Sequence, residues 1–218
     1  MKFASSKPIL YLITRGKTAE TTTSASAEFQ DVLSHVSAAI AAGIDLIQIR
    51  EKRLTARALF ELAERAAFLT KKSKTRLLIN DRADVAAGAG ADGVHLTTRS
   101  IEAAKIRQTF GEDFLIGAST HSLEEAIAAR DGGADFAVIG PVFETESKLE
   151  YGPPLGLEAL GQLTRQLTPF PLLALGGVSL ANAPQCLRAG ASGVAGISLF
   201  ADPATLCSVV NSIRSKSS

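Results

Sequence analysis

The chain has little of three things that would quickly narrow a function. It carries two cysteines, Cys186 and Cys207, in 218 residues, too few for a disulfide framework and in no spacing that suggests metal or dithiol chemistry. The expected setting is the reducing cytoplasm. Net charge is nearly absent: 23 basic residues stand against 22 acidic ones, a formal +1. Such a balance offers no extended field for gripping a polyanion, so nucleic acid is not an expected partner and any anion must be held by a local cluster. Long apolar runs are missing too. Ile9 to Ile13 stops at Thr14-Arg15 before a signal-peptide core could form, and Ala38 to Ile44, interrupted by Gly43, falls far below the ~20 residues that span a bilayer. What is left, 46% apolar and 21% charged, is the composition of a folded globular protein rather than a disordered one.

Four segments share one design, a glycine followed by a small or apolar residue, usually an Asp, and an apolar run. They are Ala42-Gly43-Ile44-Asp45-Leu46-Ile47, Ala89-Gly90-Ala91-Asp92-Gly93-Val94, Gly132-Gly133-Ala134-Asp135-Phe136-Ala137 and Ala189-Gly190-Ala191-Ser192-Gly193-Val194. Each reads as a helix stopped by a left-handed glycine and followed at once by a buried strand. Spacings of 47, 43 and 57 residues leave room for a further strand-helix unit between successive junctions. Short apolar runs fill those gaps: Ile9 to Ile13, Arg76 to Ile79, Phe114 to Gly117 and Leu172 to Leu175. Helical spacing recurs over Ala56 to Leu69, Ile101 to Phe110, Leu123 to Arg130, Leu157 to Leu167 and Ala204 to Ile213, with a short helix around Asp84 to Gly88. Eight alternating units of about 27 residues predict an α/β fold, a single (β/α)8 TIM barrel over residues 1–218, with a doubly wound open sheet as the rival.

Chemistry in such a barrel sits where the strands end. The second strand ends in Gln48-Ile49-Arg50-Glu51-Lys52, and a period of two puts Gln48, Arg50 and Lys52 on one side. An Arg fork and a Lys point charge together suit a pyrophosphate, although a solvated charge cluster has the same composition. Asn80-Asp81-Arg82 ends the third strand; its oxygen atoms suit Mg2+ and a phosphate, or else ordinary turn and capping chemistry. His95 lies beside an apolar strand and reads equally as interior filler, and His35 reads as a packed helix residue. His121, just past Ser119-Thr120, can move protons near neutral pH, or belong to a Ser122-to-Glu125 capping box. The stretch from Gly140 to Lys148 is long enough to close over a ligand. Gly176-Gly177 and Gly196-Ile197-Ser198 end the last two strands, where barrels often hold a phosphate on backbone N–H groups. Two anion sites on one face suggest an enzyme that handles phosphorylated small molecules.

Over Leu10 to about Phe200 the ordered segments resemble the family of thiamine-phosphate synthase and the TenI-type thiazole tautomerases. The matching pieces are Leu10-Tyr11-Leu12-Ile13-Thr14, Gln48-Ile49-Arg50-Glu51-Lys52, Ile79-Asn80-Asp81-Arg82, Gly90 to Leu96, Ser119-Thr120-His121, Gly140-Pro141-Val142-Phe143 with Thr145 to Lys148, and Leu175-Gly176-Gly177-Val178. The resemblance implies a pyrophosphate site of Gln48, Arg50, Lys52, Asn80, Ser119, Thr145, Ser147 and Lys148, and a thiazole-phosphate site at Gly176, Gly177, Ile197 and Ser198. It also implies homo-oligomerisation. For the synthase it implies Mg2+ on two carboxylates and coupling of hydroxymethylpyrimidine pyrophosphate to thiazole phosphate. Asp81 matches the first carboxylate, with Glu102 nearby in sequence, but Ser100 stands where the second belongs, next to Arg99. Arg15 replaces an Asp usual at the end of the first strand. On that departure the sequence favours a thiazole tautomerase that needs no metal, with His121 as general acid/base and Ser119 and Lys148 beside it. The synthase, and a non-catalytic thiamine-phosphate-binding regulatory barrel, are the alternatives.

Overall fold

A computed structural model of the chain describes residues 7–145 and 153–215. Eight parallel strands close into a barrel in sequence order: β1 (Ile9–Ile13), β2 (Leu46–Ile49), β3 (Arg76–Asn80), β4 (Gly93–Leu96), β5 (Leu115–Thr120), β6 (Phe136–Ile139), β7 (Leu172–Ala174) and β8 (Gly193–Gly196). The helices between and after them are α1 (Ala27–Ala42), α2 (Ala56–Thr70), α3 (Ala83–Gly88), α4 (Ala103–Phe110), α5 (Leu123–Asp131), α6 (Gly156–Leu167), α7 (Ala183–Arg188) and α8 (Leu206–Ser215). The seam is closed by β1 and β8, with Tyr11 opposite Ala195. The predicted barrel is therefore the observed fold, and the open-sheet rival is excluded.

The strands are short apolar runs because both faces are covered. Along β1, Ile9, Tyr11 and Ile13 turn inward to meet Leu46, Leu78, Leu115, Phe136, Val138, Leu173 and Ala195. Leu10 and Leu12 turn outward and pack with helix residues such as Phe29, Val36, Leu62, Leu163 and Val210. Burying one such Phe or Leu stabilises the fold by roughly 1.5–3 kcal/mol relative to exposure, and these two layers supply most of the apolar core.

The four Gly junctions behave as the sequence predicts. Gly43 ends α1 at φ 78°, its N–H reaching the carbonyls of Ala39 and Ile40, and Gly90, Gly133 and Gly190 also have positive φ. The Asp that follows has a use the pattern did not announce. Asp45, Asp92 and Asp135 each accept the backbone N–H of the preceding strand's second residue, Leu10, Leu77 and Ile116, at 2.8 Å. Each carboxylate also pairs with an arginine, Arg214, Arg76 and Arg107 respectively. These latches sit at the strand starts, the end of the barrel that carries stability rather than chemistry.

Candidate active site at the barrel mouth

The strand alternation runs only as far as Ile49, where β2 ends. Gln48 points into the barrel, almost wholly buried, and Arg50 and Lys52 follow in the loop after the strand, Lys52 in a turn. Arg50 is seated by its backbone N–H on Thr14 Oγ1 at 2.9 Å. The Lys52 ammonium is held below the ordinary lysine range, first by partial burial and then by Arg50 and Arg99, while Asp81 opposes them. Those causes place Lys52, Arg50, Arg99 and Asp81 in one electrostatic neighbourhood. Glu51, between them, is buried. It accepts from Gly16 N–H at 3.1 Å, Thr18 N–H at 3.2 Å and Thr18 Oγ1 at 2.8 Å, so one carboxylate fastens the loop after β1 against the cationic strand end.

Beneath the mouth lies a polar row within the apolar interior. Gln48 Nε2 donates to the Tyr11 hydroxyl at 2.9 Å, the hydroxyl lies 3.0 Å from His95 Nδ1, and His95 Nε2 lies 2.9 Å from Ser119 Oγ. Burial, reinforced by Arg50, pushes the His95 imidazole down to about 3, and burial drives the Tyr11 phenol upward. Both are neutral in use. Sequence reasoning left His95 as filler and gave Tyr11 no role; the only signal was a polar residue at an inward position of each strand. Gln48, expected at the pyrophosphate, spends its amide nitrogen on this row.

Asp81 follows β3 in the left-handed region, φ 61°, a conformation that Asp tolerates better than most residues. Its backbone N–H donates to the His95 carbonyl at 2.9 Å, and its carboxylate accepts from the Ser100 hydroxyl. The Asn80 side chain starts from the same strand tip. Among the described residues no three His, Cys, Asp or Glu side chains gather into a metal cage. Yet Mg2+ commonly takes one or two protein carboxylates and completes its shell with waters and substrate phosphates. Asp81, next to a hydroxyl and near the Lys52 ammonium, fits that mode.

The opposite arc of the mouth is made of backbone. Gly176 and Gly177 have φ 92° and 64°, and a Cβ on Gly177 would fall 2.6 Å from the Glu144 carbonyl oxygen and 2.7 Å from Phe143 Cβ. Only glycine lets the loops after β6 and β7 lie so close. They are joined by Val142 N–H to the Leu175 carbonyl at 2.9 Å and Phe143 N–H to the Gly176 carbonyl at 3.1 Å. Asn182 then ties the loop shut, donating to the Gly177 carbonyl at 3.0 Å and accepting Ser179 N–H at 2.7 Å. Ile197 and Ser198, directly after β8, are exposed beside it.

His121 is engaged at the start of α5. Its backbone N–H donates to Glu125 at 2.6 Å and its ring lies 3.2 Å from the same carboxylate, while Ser122 caps α5 through Glu125 N–H. The Ser122 half of the predicted capping box is formed, while the Glu125 carboxylate accepts one residue further back, from His121 N–H. Thr145 lies at the end of the described part of the loop after β6; Ser147 and Lys148 lie outside the described residues.

The family model described as thiamine monophosphate synthase matches residues 10–200. A thiamine-phosphate synthase of Roseiflexus sp. is 42% identical over 163 residues, 75% of this chain and 69% of the relative. One from Methanoculleus marisnigri is 39% identical over 178 residues, 82% and 84% of the two chains. Among solved structures, a thiamine phosphate pyrophosphorylase from Pyrococcus furiosus superimposes with TM-score 0.78 at 28% identity, covering 96% of this chain and 95% of that one. The relatives are named for the synthase, and this overturns the expectation of a thiazole tautomerase. The missing second carboxylate was a weak basis for that expectation, because a substrate-completed Mg2+ shell does not require two.

Proposed function

The chain belongs to the thiamine monophosphate synthase family, and from that premise we propose that it couples hydroxymethylpyrimidine pyrophosphate to thiazole phosphate, forming thiamine phosphate and releasing pyrophosphate. What supports this reading is a mouth with cations on one arc and glycine-rich backbone on the other. Arg50, Lys52, Asn80 and Ser119 stand on one arc beside Asp81, and the backbone of Gly176, Gly177, Ile197 and Ser198 forms the other. A reaction that joins two phosphorylated molecules needs both. The family resemblance assigns Thr145, Ser147 and Lys148 to the pyrophosphate as well.

Arg50 and Lys52 bind the pyrophosphate and stabilise the charge that grows on it as the C–O bond breaks and the bond pair leaves with the oxygen. Ser119 contributes a hydroxyl hydrogen to the same group. The backbone N–H groups on the far arc hold the thiazole phosphate, and the thiazole nitrogen supplies the electron pair for the new C–N bond to the pyrimidine methylene. Holding both partners on one rigid rim turns a bimolecular encounter into an oriented one, an effect worth up to roughly 7–11 kcal/mol. Mg2+, held by Asp81 together with substrate oxygens, would add charge neutralisation at the leaving group. No step is assigned to His121. The same reading carries a cytoplasmic, homo-oligomeric enzyme of one domain.

Incubating the protein with both substrates and Mg2+ tests this. Stoichiometric thiamine phosphate and pyrophosphate are expected. Binding of thiazole phosphate without any turnover would overturn the reading and favour the regulatory barrel.

A further inference from the structure

Tyr11 and His95 are polar groups in a place where hydrocarbon would fill the space at no desolvation cost. They belong to β1 and β4, which do not pair, and they meet across the barrel interior. Tyr11 is fully buried and His95 nearly so. Their rings are wedged: Phe136 meets Tyr11 edge-on with centroids 5.5 Å apart. A Cβ on Gly117 would fall 2.8 Å from His95 Nδ1 and 2.4 Å from Phe136 Cζ, so the glycine leaves just enough room for both rings.

The row has a direction. Gln48 Nε2 donates to the Tyr11 hydroxyl, so the single phenolic hydrogen passes on to His95 Nδ1. That makes Nδ1 the acceptor and puts the imidazole hydrogen on Nε2, which donates to Ser119 Oγ. Ser119 therefore keeps its own hydrogen for a group at the mouth. Reversing any link would turn that hydrogen inward and present serine lone pairs to the site, the wrong polarity for an anion, which can only accept.

We propose that Gln48, Tyr11 and His95 form a positioning relay that holds the Ser119 hydroxyl as an outward donor to the pyrophosphate of the pyrimidine substrate. The identity of that anion rests on the synthase reading; the polarity of the relay does not.

A double-mutant cycle on inorganic pyrophosphate binding, followed by calorimetry, tests the proposal. Tyr11→Phe, which keeps the ring and removes only the hydroxyl, is expected to weaken pyrophosphate binding about tenfold, the scale of one hydrogen bond to a charged group. In a Ser119→Ala background the same substitution should have no further effect. His95→Gln, which retains an acceptor and a donor, should recover part of the affinity that His95→Leu loses. Nitrogen-15 shifts of His95 should show hydrogen on Nε2 and none on Nδ1. Hydrogen on Nδ1, additive effects in the cycle, or full affinity in Tyr11→Phe would overturn the relay. Pyrophosphate binding that follows the cycle in a protein that makes no thiamine phosphate would sink the synthase reading alone. Thiamine phosphate synthesis with an additive cycle would sink the relay alone.

Discussion

Gly177→Ala separates the phosphate-holding backbone from the general cost of a side chain in a left-handed position. At φ 64° an alanine costs roughly 1–2 kcal/mol in conformation alone. Its Cβ would also lie 2.6 Å from the Glu144 carbonyl oxygen and 3.0 Å from the Phe143 carbonyl carbon, so the paired loops after β6 and β7 must separate. Gly43→Ala is the matched control. It has φ 78° at the far end of the barrel, and its nearest new neighbour is the flexible tip of Arg214 at 3.5 Å. For a domain of this size about 1 kcal/mol shifts Tm by about 2–4 °C, so Gly43→Ala should melt roughly 2–8 °C lower, and Gly177→Ala lower still. Kinetics divide them. Gly177→Ala should raise KM for thiazole phosphate about tenfold or more, the loss of at least one charge-assisted backbone contact. KM for the pyrimidine substrate should stay within about twofold, and Gly43→Ala should move neither. Thiamine phosphate formation with each substrate varied in turn, alongside thermal melts, gives the answer. An unchanged thiazole phosphate KM in a folded Gly177→Ala protein would refute the backbone assignment.

Asp135 Oδ2 accepts Arg107 Nη2 at 2.9 Å and Ile116 N–H at 2.8 Å, so Asp135→Ala strands two donors; calorimetry should show a loss of about 3–5 kcal/mol and Asp135→Asn a smaller one. Because the Lys52 pKa is lowered, its charge is lost at a lower pH than for a free lysine. KM for the pyrimidine pyrophosphate should therefore climb as pH rises from about 7 to about 10, and Lys52→Arg should flatten the climb; a parallel climb in both proteins would exclude Lys52 as its source. Ser100→Asp sets a second carboxylate beside Asp81 and should tighten Mn2+ binding about tenfold in the absence of substrate, read by electron paramagnetic resonance. An unchanged Mn2+ affinity would mean that the cation sits elsewhere.

The barrel was legible because its signals are local. A Gly-to-strand junction spans about six residues, and each of the four junctions leads into a strand. The inward position of Gln48 on β2 is equally local, and so is the Ser122 cap. What escaped are contacts made by closure. Tyr11 and His95 lie 84 positions apart, and no pattern along the chain announces that two nonadjacent strands meet through their side chains. Glu51 stood in view inside the cationic segment, yet only the loop folding back over it shows that it acts as a clasp rather than a ligand. β5 runs through Thr120, so Ser119 sits within a strand and its direction is fixed. The reaction was misread for a different reason: a single Ser at position 100 was weighed as a lost ligand, whereas the substrate itself can bring the oxygens that a protein omits.

The three Asp latches also divide the barrel into parcels. Asp45 joins β1 to β2, Asp92 joins β3 to β4 and Asp135 joins β5 to β6, while the fourth junction carries Ser192 in that position. The chain is thus composed of strand-helix-strand modules, three of them sealed at the bottom and the last one unsealed. Cutting between modules should be gentler than cutting within one. A circular permutant opened at Lys71-Lys72, both exposed, leaves every latch within one continuous stretch, whereas one opened at Gly90-Ala91 severs the β3–β4 module. Equal melting temperatures for the two permutants would show that the modules have no independent standing.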